Sequence, residues 1–120
     1  MATRGIILFA HGSRDPLWHR PIEAVAARIG AIDTEAAVAC AYLELSTPDL
    51  AAAAGGLIAQ GLSRISIVPL FLGVGKHARE DLPLLLQALR AQHPAVQFDL
   101  QPAIGEDQRM IDLMARIATG

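Results

Sequence analysis

A chain of 120 residues and 12.7 kDa fits one domain, and its 52% apolar and 18% charged composition excludes a disordered polypeptide. A formal net charge of -2 and a pI near 6.0 leave no basic excess to neutralise phosphates, which argues against nucleic acid as a partner. Aromatic residues are only 4%, so the core has to come from Leu, Ile, Val and Ala.

Gly5 to Ala10 is short, branched and uniformly apolar, the pattern of a buried parallel strand. Asp15-Pro16 opens a helix that runs to about Ile29, with Ile22, Val25, Ala26 and Ile29 at helical spacing. Pro21 leaves its first turn open. Ala36 to Leu43 reads as a second strand and Cys40, the lone cysteine, as a small core residue within it. Thr47-Pro48 opens a second helix that ends near Gly61. Arg64 to Leu70 is a third strand with Pro69 at its end. A third helix spans about Ala78 to Gln92, with Leu82, Leu85, Leu86 and Leu89 on one stripe, and His93-Pro94 stops it. Val96 to Leu100 is a fourth strand. Glu106 to Ile117 is a fourth helix, with Met110, Leu113, Met114 and Ile117 spaced for packing.

Four successive βα units predict a single α/β domain over residues 1–120, with a four-stranded parallel sheet between layers of helices. The longest apolar stretch, Ile65 to Gly75, is too short to span a bilayer and contains Pro69. The N-terminal apolar run Ile6 to Phe9 is too short for a signal peptide. These features read as a cytoplasmic chain with no membrane partner.

Ligands of such sheets bind beyond the carboxyl ends of the strands. His11 follows the first strand, Glu44 the second and His77 the third, in the loop Gly73-Val74-Gly75-Lys76-His77. The separations are equal, 44 − 11 = 33 and 77 − 44 = 33, close to the roughly 30 residues of a βα unit. Each residue therefore recurs at the same place in successive units, over one edge of the sheet. A histidine at a strand end is often only a loop residue bonded to a carbonyl; three chemically apt residues at equivalent positions are what a site requires. Two imidazoles and a carboxylate suit a divalent transition metal such as Zn, Co, Ni or Fe, and accept protons near neutral pH.

Gly73 to Ala78 matches G-x-G-x-x-A, but it follows the third strand and lacks a well-placed acidic partner downstream, so a dinucleotide site is a weak reading. Gly73 and Gly75 suit a loop of positive φ or a close backbone approach to a ligand. Ser13 reads as a donor at a helix N-terminus. His19 and His93 read as solvated, and Arg79-Glu80-Asp81 as a solvated first helical turn.

His11-Gly12-Ser13-Arg14-Asp15-Pro16 after an apolar strand resembles the opening of the small cobaltochelatases of the CbiX and SirB type, relatives of ferrochelatase. Tyr42-Leu43-Glu44-Leu45 with Pro48 looks like that family's second motif. Val68 to Gly73, with Gly75-Lys76-His77 and Asp81-Leu82-Pro83, looks like its third. The resemblance implies one lobe of a bilobal chelatase fold, assembled as a homodimer because one chain supplies only one lobe. It implies insertion of Co2+, Fe2+ or Ni2+ into sirohydrochlorin, the metal being a substrate and no tightly bound cofactor being needed. His11 and His77 would bind metal and take part in insertion, with Glu44 beside them as a catalytic group. Gly12, Ser13, Arg14, Gly73, Gly75, Lys76 and Arg79 are the candidates for holding the substrate and its carboxylates. A metal or tetrapyrrole carrier without turnover is the competing reading on the same fold.

Overall fold

The computed structural model describes residues 2–120. Four strands, β1 (Arg4–Ala10), β2 (Ala36–Tyr42), β3 (Arg64–Pro69) and β4 (Gln97–Leu100), alternate with four helices, α1 (Arg20–Ile32), α2 (Leu50–Ala59), α3 (Lys76–Gln92) and α4 (Gln108–Thr119). The sheet is parallel throughout, in the order β2-β1-β3-β4. β1 lies inside it, and its uniformly apolar sequence follows from burial on both faces: Ile7, Leu8, Phe9 and Ala10 are each no more than 2% exposed.

The chain steps from β1 outward to β2, then returns past β1 to β3. Right-handed crossovers place α1 on one face and α2 and α3 on the other. The core divides accordingly. Ile7 and Phe9 join Ala53, Ala54 and Leu57 of α2 and Leu82, Leu86 and Leu89 of α3. Leu8, Ala10 and Tyr42 pack with Ile22 of α1. The reversal of strand order falls between β1 and β3, and the crevice such a reversal opens lies at their carboxyl ends.

Several element boundaries differ from the sequence reading. Asp15-Pro16 opens a one-turn 3-10 helix, Pro16–His19, and Asp15 accepts the Leu17 N–H at 2.9 Å. α1 starts anew at Arg20, because Pro21 has no N–H to continue the earlier turn but suits a first helical turn. Asp49, and not Thr47, caps α2, accepting the Ala52 N–H at 2.8 Å. α3 begins at Lys76 with Gly75 as its N-cap, so His77 stands in a helical first turn and not in a loop. Neither Gly73 nor Gly75 has positive φ; among the glycines that conformation belongs to Gly12, Gly61 and Gly120.

α4 starts after Asp107, whose carboxylate accepts the Arg109 N–H at 2.9 Å and its guanidinium at 2.8 Å. Those bonds hold the Asp107 carboxyl down at about 2. The apolar stripe expected to pack is present but uncovered: α4 contributes no buried residue, and Leu113 and Ile117 are 45% and 70% exposed. Cys40 is half-buried, and burial first, then the Glu23 carboxylate, pushes its thiol above the ordinary value. Among the described residues no helix is long and apolar enough to cross a membrane.

Candidate active site beyond the carboxyl ends of the strands

The β1–β2 ladder continues past its last paired residues, Ala10 and Tyr42. Leu43 N–H donates to Ala10 O at 2.9 Å and Glu44 N–H to His11 O at 3.0 Å. These bonds bring His11 and Glu44, 33 residues apart in sequence, to adjacent positions at the sheet edge. The chain then turns sharply in both segments: Gly12 has φ 101° and Leu45 φ 64°. Gly12 is required there, because a Cβ would lie 1.8 Å from the Glu44 carbonyl oxygen.

The His11 ring lies on the Phe71 ring, centroid to centroid 4.2 Å and tilted by 30°. Phe71 is buried and contacts Phe9 at 6.0 Å, so the imidazole rests on a fixed platform while staying exposed. From the opposite side Gly75 caps α3 and presents Lys76 and His77 in its first turn. His11, Leu43, Glu44, Gly75, Lys76, His77, Ala78 and Asp81 together line an open cavity of about 530 Å³. A Cβ built at Gly75 would meet nothing within 4 Å, so the cavity reaches the backbone there. The helix N-terminus and Lys76 favour an anionic group at that wall.

The structure therefore gathers His11, Glu44, His77, Gly75 and Lys76 into one cavity. Ser13 and Arg14 line an adjoining cavity of about 300 Å³, with His19, Glu23, Tyr42, Leu45, Ser46 and Thr47. Gly12 forms the bend between them. Gly73 and Arg79 are exposed and line neither cavity. Among the described residues, no three His, Cys, Asp or Glu side chains come close enough to hold a metal ion.

Three further residues line these cavities without having been singled out for them in the sequence. Asp81 is exposed, as expected of a solvated first helical turn, and also lines the cavity because it lies one turn beyond His77 on the same helix face. His19, also read as solvated, is half-buried, with Nε2 2.9 Å from Ser46 Oγ and its ring edge-on to Tyr42 at 4.8 Å. Ser46 itself went unremarked, although 46 − 13 = 33 repeats the spacing that singled out His11 and Glu44. Burial, with the neighbouring Cys40 and Glu23, raises the Tyr42 hydroxyl above its ordinary value and keeps it protonated.

Known proteins are similar to this chain in sequence and fold over most of its length. The sirohydrochlorin cobaltochelatase of Saccharolobus solfataricus is 26% identical over 118 residues, covering 93% of this chain and 91% of that protein. The sirohydrochlorin ferrochelatase of Priestia megaterium is 34% identical over 73 residues, 61% of this chain and only 27% of that longer protein. Among solved structures, a cobalamin (vitamin B12) biosynthesis CbiX protein from Marinobacter aquaeolei VT8 superposes with a TM-score of 0.82 at 34% identity, over 97% of this chain and 94% of the other. The chelatase SirB from Bacillus subtilis subspecies spizizenii, in complex with cobalt, superposes at 0.81 with 22% identity; 98% of this chain matches 50% of that one, a likeness of fold. The CbiX family model matches residues 5–119, a span that takes in every strand-end residue of the cavity, and the chain belongs to the CbiX family.

Proposed function

We propose that this chain inserts a divalent metal ion, cobalt foremost and iron or nickel as alternatives, into sirohydrochlorin. The observation that carries the reading is the cavity in which two exposed imidazoles and a carboxylate face the same space. The sirohydrochlorin chelatases among the relatives support the substrate. Insertion removes the pyrrole N–H protons while a cation approaches the ring face. A neutral imidazole offers a lone pair either to the metal or to a proton, which suits His11 and His77. Glu44, hydrogen-bonded to His11 through the backbone, is placed to carry protons away. Lys76 and the N-terminus of α3 on one wall, and Ser13 and Arg14 beside the other, match the carboxylates on the rim of the macrocycle. The metal is a substrate, and the reading needs no other cofactor; it takes the chain to be cytoplasmic.

The test is a spectroscopic assay of purified protein with sirohydrochlorin and Co2+, Fe2+ or Ni2+ in turn. Catalysed loss of the metal-free absorption spectrum is expected with at least one of them. Tight binding of metal or tetrapyrrole with no acceleration above the uncatalysed rate would establish the carrier instead.

The same proposal includes a homodimer. One sheet edge gives a planar macrocycle one wall, and SirB, matched over half its length, has room for a second lobe. The uncovered stripe of α4 supports a second copy as the missing partner. Sizing at assay concentration is expected to give about twice the monomer mass, and Leu113→Glu with Ile117→Glu to shift the protein to monomer with loss of turnover. A fully active wild-type monomer would overturn the dimer.

A further inference from the structure

The loops after β1 and β2 are joined by one side chain. Ser46 Oγ donates to Ser13 O at 2.7 Å and accepts the Ser13 N–H at 3.0 Å. His19 Nε2 stands 2.9 Å from the same oxygen. A hydroxyl has one proton, and here it is committed to the Ser13 carbonyl. The contact with His19 is then satisfied only if Nε2–H donates to Ser46 Oγ. Ser46 makes one bond as donor and two as acceptor, and its full capacity is used. This excludes a serine nucleophile activated by His19, since the imidazole carries the proton on the nitrogen that faces the serine. The His19 ring is in turn held edge-on between Tyr42 at 4.8 Å and Trp18 at 5.7 Å.

The position of this cluster explains its use. Ser13 lies two residues after His11, and Ser46 two after Glu44. Between them, Gly12 and Leu45 both adopt left-handed backbone, and the conformation of Leu45 costs about 1–2 kcal/mol in a residue with a Cβ. A strained residue persists only where its surroundings over-determine it. The ladder bond from Glu44 N–H to His11 O fixes one end of the two turns, and the Ser46 bonds to Ser13 fix the other.

We propose that Ser46 and His19 are positioning residues: they clamp the two loops together and so set where the His11 imidazole stands relative to the Glu44 carboxylate. Neither lines the cavity that holds His11, Glu44 and His77. Their side chains lie on the adjoining cavity with Ser13 and Arg14, and they act on His11 and Glu44 through loop geometry. The inference rests on the chelatase reading only for its kinetic arm.

Ser46→Ala removes the bonds to Ser13 and the acceptor for His19. Its kcat for metal insertion is expected to fall about tenfold with KM for sirohydrochlorin within about twofold, since misplacement by an ångström in the catalytic geometry costs up to about a hundredfold. Ser46→Thr, which keeps the hydroxyl, is expected to recover kcat to within about threefold of wild type on the same argument. His19→Ala leaves the two Ser46–Ser13 bonds in place and is expected to fall between them. It serves in place of Ser46→Ala if that variant does not fold. Long-range 1H–15N NMR of the histidine rings gives a second arm. Wild-type His19 is expected as the Nε2–H tautomer, and the His11 ring resonances are expected to move in Ser46→Ala and to stay in Ser46→Thr. A folded Ser46→Ala protein with wild-type kcat and unmoved His11 resonances would overturn the clamp. A loss confined to KM would also overturn it, because the clamp is argued to set the catalytic geometry of His11 and Glu44 and not the affinity for substrate. If wild-type protein inserts no metal, the functional reading fails on its own, and the His11 resonances still decide the clamp.

Discussion

Replacing either cavity imidazole, His11→Ala or His77→Ala, is expected to lower the rate of metal insertion at least about tenfold without unfolding the protein. Both side chains are exposed, so neither contributes to the cores under the helices. Exposed substitutions of this kind usually change stability by no more than about 0.5 kcal/mol. His11→Ala also removes a ring from Phe71, but Phe71 stays buried against Phe9. The loss therefore belongs to chemistry: a lone pair for metal or proton disappears from one wall of the cavity. If the two rings serve the same step, the double variant will be little worse than the more damaged single one. Single-turnover absorption changes with sirohydrochlorin and Co2+ measure the rate, and circular dichroism checks the fold. A rate near wild type in either folded variant removes that residue from the mechanism.

The second large effect is expected at a residue with no side chain. Gly12→Ala is expected to lower insertion about a hundredfold, because the loops must separate by roughly an ångström or more to admit the methyl group. The new Cβ would stand 1.8 Å from the Glu44 carbonyl oxygen and 3.0 Å from its carbon, both backbone atoms that cannot rotate away. The φ of 101° is also unfavourable to any residue with a Cβ. Strain of this kind costs at least about 2 kcal/mol, a fall of about 5–10 °C in Tm for a domain of this size. Relief moves the Glu44 backbone away from His11 and breaks the bond between them at 3.0 Å. Thermal unfolding and the same insertion assay test the variant together. Wild-type Tm and turnover in Gly12→Ala would show that the loop has another conformation equally suited to the reaction.

Much of this was legible in the sequence. An unbroken apolar run in β1 and a helical period in α3, with Pro and Gly as punctuation, were enough to find all four βα units, because burial on two faces or one dictates where apolar residues fall. The 33-residue spacing from His11 to Glu44 to His77 was enough to find the cavity, because parallel units place equivalent residues at one sheet edge. The limits lay in polar residues. His19 looked solvated, since its partner Ser46 is remote in sequence, and the place of the exposed Asp81 on the cavity appears only when the elements come together. Ser46 carried the same 33-residue signal relative to Ser13, and a hydroxyl at that spacing attracts notice only when the hydrogen bond is seen.

Sequence alone determined the α/β class, the succession of strands and helices, and the residues at the strand ends, because each depends on local patterning and on the fixed geometry of parallel units. Tertiary structure alone decided which of those residues share a space. Gly75, a loop glycine by pattern, became the cap that makes His77 a first-turn residue lining the same cavity as His11. Gly73 and Arg79, equally plausible in the sequence, fell outside it. The α4 stripe, spaced as if for the core, stayed uncovered. Pattern records that a face is apolar, but what covers it depends on where the turn Ile104–Glu106 aims the helix, which no local period encodes.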